Sequence, residues 1–231
     1  MKRLTLNTSE RSQAFARIAD TDTGRRAWLG DPETAHVSAK PFILKAHMAV
    51  RDATDKVARL SEDATRTEAA KHAAAAKVVG KATADISAAH AALTVVANEM
   101  DASAMNKFSA YANDAAARNG DVRQAAIGRW IQEQAKTPQG MAEIQKQALT
   151  NPRVLAELEL SESFILGLAP ETHMRLRMDG MTQQVPDAVA ELKASGAICK
   201  TLATMETFAK DMHAHLYDAN IAKQGETHVE I

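Results

Sequence analysis

Eight histidines and one cysteine are the side chains of this 231-residue chain best suited to hold a metal or attack a substrate. Their spacing decides which of those chemistries is open. A helix presents two ligands to one ion only when they sit three or four residues apart on a shared face. His213 and His215 are two apart, about 200° around a helix axis, and cannot share an ion. Asp211 with His215, and Glu68 with His72, do have the i, i+4 spacing. A closed site needs a second such pair opposite, and the motifs that announce one, H-E-x-x-H or a repeated E-x-x-H, do not occur. The histidines are therefore read as structural. Cys199 has no histidine partner assignable from spacing, and a nucleophile needs a base within reach, so it is expected to be a small buried apolar residue. The glycine loops that cradle phosphates and the G-x-S-x-G elbow are both missing. The chain is read as having no catalytic residue, metal ligand, cofactor or small-molecule substrate.

The elements behind these residues are helices. From Phe42 to Asn119 there is no proline and one glycine, Gly80. Apolar residues recur at Ile43, Ala46, Val50, Ala53, Val57, Leu60 and Ala64, the three-four alternation of a helix lying on another helix. The pattern resumes at Val78, Ala82, Ile86, Ala89, Leu93, Val96, Met100, Ala104, Phe108, Tyr111 and Ala115. Between the runs, Thr67 and Lys71 occupy seam positions, and Ser61, Thr65 and Thr67 lower helix propensity. A break is expected near 61–67. Ser38 and Pro41 make a helix start, Asn119-Gly120 a stop. Shorter helices are expected to open at Asp121, Thr137-Pro138, Asn151-Pro152 and Ala169-Pro170. The Asn151-Pro152 helix would carry Val154, Leu155, Leu158, Phe164, Ile165 and Leu166. A last long helix starts at Pro186 and repeats the seam at Ile198, Leu202, Met205, Ala209, Met212, Leu216 and Ala219, with Gly196 marking close packing or a bend. The expectation is an all-α, elongated, coiled-coil-like bundle with long helices at about 41–64, 67–118 and 186–222. Residues 41–222 form the helical domain and 223–231 a frayed tail.

Residues 1–40 read as a mostly irregular arm with one short helical candidate, Ser9 to Ala19. Basic residues outnumber acidic ones there. Arg3, Arg25, Arg26 and Trp28 are the candidates for docking the arm on a neighbouring subunit or another acidic surface. Elsewhere, Arg51, Asp52, Asp55, Lys56, Arg59, Glu62, Asp63 and Arg66 mix signs closely, as a solvated helix face does.

Hydrophobic residues make up 45% of the chain and aromatic residues only 4%, because alanine supplies much of the apolar count. Alanine specifies helix well but buries little area, a shortage that oligomerisation can remedy. The net charge of −1 gives no field that would draw nucleic acid or an anionic membrane. No apolar run reaches signal-peptide or membrane-spanning length, so a cytoplasmic protein is expected.

The stretch 151–178, with Asn151-Pro152-Arg153-Val154-Leu155-Ala156 and Gly167-Leu168-Ala169-Pro170-Glu171, resembles small helical proteins of tailed-phage and prophage structural gene clusters. The resemblance implies a virion-associated or assembly role and transfers no catalytic residue. The expected function is a non-catalytic structural subunit that forms a homo-oligomer or joins a larger assembly through its long-helix seams. The alternative is a helical adaptor that binds a partner protein through the N-terminal arm or the C-terminal helix.

Overall fold

In the computed structural model, which describes residues 4–227, the chain is all-α. Ten helices are present among the described residues: α1 (Glu10–Asp20), α2 (Asp22–Leu29), α3 (Lys40–Glu62), α4 (Glu68–Asn119), α5 (Asp121–Gln134), α6 (Pro138–Thr150), α7 (Pro152–Leu160), α8 (Pro170–Gln184), α9 (Pro186–His215) and α10 (Ala219–Thr227). Local chemistry sets most of the starts. Ser9, Thr21, Thr137 and Asn151 each accept a backbone N–H of the first turn of α1, α2, α6 and α7. Such a cap is worth about 1 kcal/mol. Proline stands in the first turn of α3, α6, α7 and α8, where its missing N–H costs no helical bond. The break between α3 and α4 falls where the seam weakens. Asp63 Oδ1 accepts the Thr65 hydroxyl at 2.6 Å and the Thr65 N–H at 2.8 Å, and these bonds hold the Asp63 carboxyl below its ordinary range. Among the described residues no helix is long and apolar enough to cross a membrane.

The chain divides into two compact units, and the dividing lines fall within α4 and α9. The first comprises Met1–Asn98 and Ala194–Ile231. Its interior holds Ile43, Val50 and Val57 of α3, Val79, Ile86 and Leu93 of α4, and Ile198, Met205, Phe208 and Met212 of α9. α1 packs on α2 and α3. Phe15 lies 5.1 Å, ring to ring, from Phe208, and Trp28 lies 6.0 Å from it. The second unit is Glu99–Lys193, in which α8 lies on α6 and α7. Ile131, Ile144, Ala148, Val154, Leu158, Leu166, Leu168 and Leu176 form its main core cluster. Gly180 permits the α6–α8 approach, because a Cβ there would stand 2.7 Å from Ala148 O.

Several expectations change. In the segment read as a mostly irregular arm, the helical candidate Ser9 to Ala19 is α1, but a second helix, α2, follows it, and Arg3 lies outside the described residues. Leu6 and Thr5 are buried. The Thr5 hydroxyl donates to His215 O at 2.7 Å and Leu216 O at 3.0 Å, and Leu6 N–H donates to Leu216 O. Those bonds consume the terminal carbonyls of α9, so the helix expected to reach 222 stops at His215. The chain turns there, with Asp218 N–H donating to His72 Nδ1 at 2.8 Å, and residues 219–227 form α10 rather than a frayed tail. Ala39, not Ser38, stands at the α3 cap, and Gly120 (φ +77°) rather than Asp121 precedes α5. α7 ends at Leu160, so Phe164 and Ile165 lie in a connector and not on its apolar face. Cys199 is exposed, and Gly196 has open space around it.

Candidate functional site

The seam residues proposed as an assembly surface lie mostly in the chain's own interior. Ile43, Val50, Val57, Ile86, Leu93, Met100, Ile198, Met205, Met212 and Leu216 are buried, while Leu60, Val96 and Leu202 are half-buried. These seam residues are covered by the chain's own helices. The arm candidates are similarly occupied. Arg25 is buried and donates from Nη1 to Ala19 O at 3.0 Å and Asp20 O at 2.8 Å, so its cation sits on the carbonyl end of α1. Arg26 pairs with Asp22 at 2.7 Å and Asp31 at 3.2 Å; the hydrogen bond its Nε–H donates to Asp22 raises its pKa above the ordinary value. Trp28 is half-buried near Phe208.

Two grooves of the first unit gather polar groups. One lies between α4 and α9, with Ile86, Met205 and Ala209 beneath Thr83, His90, Glu206, Lys210 and His213. His213 is fixed on both sides, Nε2 lying 3.0 Å from the Thr83 hydroxyl and Nδ1 2.9 Å from the Tyr217 hydroxyl. Lys210 lies 2.7 Å from Glu206, and its hydrogen bond holds that carboxyl below the ordinary range. The imidazole is thus oriented against the Thr83 hydroxyl, which also lies 3.1 Å from the Val79 and Gly80 carbonyls of its own helix. Among the described residues, no group of three or more His, Cys, Asp or Glu is placed to hold a metal ion. The other groove lies between α3 and the first half of α4. Its two adjoining hollows share Lys56 and Val78. Ala53, Leu60, Ala74 and Ala82 contribute apolar surface, and Arg59, Arg66, Lys77 and Lys81 line it with cations.

The second unit presents a different surface around the α7–α8 connector. Leu160 is 50% exposed, Phe164 73%, Ile165 48%, Met174 65% and Met178 41%. Met174, Arg177 and Met178 share one face of α8 by their three-four spacing. Arg177 reaches Glu159 at 2.7 Å, beside Leu160. His173 Nε2 lies 2.7 Å from Leu158 O; a carbonyl only accepts, so that nitrogen carries the proton and fixes α8 on α7. Ile165 O accepts from the Gln132 amide, and Gly167 (φ +67°) supplies the left-handed turn that returns the chain to Leu168. Phe164 therefore stands on a turn anchored at both ends, with Leu166 and Leu168 buried below it. Sequence periodicity missed this surface, because Phe164-Ile165-Leu166 reads as a buried apolar run. The signal that could have found it is Gly167 between two such residues and Pro170, which argues for a turn. No family model, no curated protein and no solved structure matches the chain.

Proposed function

We propose that this protein is a non-catalytic structural or assembly subunit that associates with copies of itself. The observation that carries the reading is that five large apolar residues of α7, α8 and the connector between them, Leu160, Phe164, Ile165, Met174 and Met178, are exposed. Singly exposed apolar residues are ordinary, whereas a local group of large ones marks a surface that is covered in use. Methionine suits such a contact because it adapts its shape to a partner. The same five residues fall within 151–178, the stretch that resembles small helical proteins of phage structural clusters, so the setting proposed is a phage particle or connector assembled in the bacterial cytoplasm. The adaptor alternative has less to stand on, since Arg25 and Trp28 are engaged within the chain.

Light scattering across micromolar to high-micromolar concentrations tests the proposal. The expected result is a mass that rises above the 24.9 kDa of one chain as concentration increases. A constant mass of one chain over that range overturns it.

A further inference from the structure

We propose that the Phe164 corner of one copy docks into the α3/α4 groove of a second copy, a head-to-tail contact between two different surfaces. The inference rests on the self-association reading above and names the contact through which it occurs.

Charge distinguishes the two surfaces. In the groove, Lys56 pairs with Asp52 at 2.6 Å and Arg66 with Asp63 at 3.2 Å. Arg59, Lys77 and Lys81 make no ion pair with a described residue, and Asp85 is the one carboxylate of the lining that the two pairs above leave over, so the lining residues carry a surplus of two positive charges (three cations against one carboxylate). At the corner, Arg177 neutralises Glu159. Along the rest of the connector and α8, residues 161–184, Glu162, Glu171 and Asp179 make no ion pair with a described residue and Arg175 is the one further cation, a surplus of two negative charges on this segment. Each surface would repel another copy of itself, and the two attract each other.

The apolar parts also match. Leu60 and Val78 are seam positions left half-buried, so the α3–α4 seam opens into the groove there. Phe164 is the largest of the strongly exposed apolar side chains and stands on a fixed turn, so little conformational entropy is lost when it is covered. A protruding apolar residue that fits a hollow elsewhere on the same molecule makes a heterologous contact, in which each copy keeps one free knob and one free hollow.

That asymmetry gives the test. Two variants of the full chain are compared by sedimentation velocity at low and moderate salt: Phe164→Ser, and the double change Lys77→Glu with Lys81→Glu. All three positions are exposed, and circular dichroism checks that helicity is retained. Each variant alone is expected to lose self-association at least tenfold. Mixed, they should pair one to one, because one contributes an intact hollow and the other an intact knob. Added salt should weaken both this pairing and the wild-type association. Variants that self-associate like the wild type would overturn this contact while leaving the assembly reading standing. Variants that stay monomeric even when mixed would also overturn it, pointing instead to a symmetric contact. A wild type that is monomeric at every concentration overturns both proposals.

Discussion

Two histidines illustrate how single residues of this chain couple its stability to pH. His47 Nε2 donates to Gly30 O at 2.9 Å, and His173 Nε2 donates to Leu158 O at 2.7 Å. Burial pushes both imidazoles below their ordinary value of 6.5, against the raising effect of those hydrogen bonds; Arg25 and Arg177 push further down, while Asp22 and Glu159 oppose them. A lowered folded-state pKa means that the unfolded chain binds the proton more readily just below 6.5. Stability contributed by the neutral rings is therefore fully present above that value and is lost as the pH falls from it toward the lowered one. Urea midpoints at pH 7.5 and 5.5 should show the acid loss, and His47→Gln together with His173→Gln should reduce the difference between them. Phe208 tests packing on the same scale. It is fully buried against Phe15 and Trp28, so Phe208→Ala should cost about 3–5 kcal/mol in urea denaturation.

Elements meet where backbone comes close to backbone, and that is where element-scale predictions are sharpest. A methyl group at position 180 would stand 2.7 Å from Ala148 O, a contact that only movement of α8 against α6 relieves. Gly180→Ala should destabilise the protein by about 1–3 kcal/mol despite alanine's better helix propensity, and a urea midpoint at or above the wild-type value would contradict the account. At the other close junction, Thr5→Val removes the hydroxyl that donates to His215 O and Leu216 O. It should cost about 1 kcal/mol and accelerate amide exchange in the last turn of α9. The two sites also show what the sequence could reveal. Helix starts at Pro138, Pro152, Pro170 and Pro186, and the break before Glu68, were legible because capping and propensity act within a few residues. The end of α9 was not, because it depends on Thr5 and Leu6 from the opposite end of the chain and on His72 across the turn. α2 was missed although Thr21-Asp22-Thr23-Gly24 carries its cap; an eight-residue helix with an internal glycine has too little periodicity to register.

At the scale of the whole molecule, the two units differ in how the chain supplies them, and that difference predicts how each behaves when separated. Glu99–Lys193 is one continuous stretch with its own core cluster from Ile131 to Leu176. Its buried carboxylate, Glu157, is satisfied from within by Gln124 and Ser161. Nothing on that list lies outside the stretch, so the fragment 99–193 should express as a helical protein with a cooperative thermal transition by circular dichroism; a broad, featureless melt would contradict its independence. The other unit is assembled from both ends of the chain. Phe15 and Trp28 pack on Phe208, Ile43 lines a hollow with Ile198, and Ile86 lines another with Met205, so residues 1–98 alone expose the surface that 194–231 covers. The fragment 1–98 should therefore show little near-ultraviolet dichroism by itself and gain helicity and a fixed Trp28 environment when a peptide of residues 194–231 is added. The seam read from the sequence is then satisfied largely by closing the chain on itself, and the exposed apolar residues Phe164 and Ile165 of the α7–α8 connector are the ones that periodicity could not see.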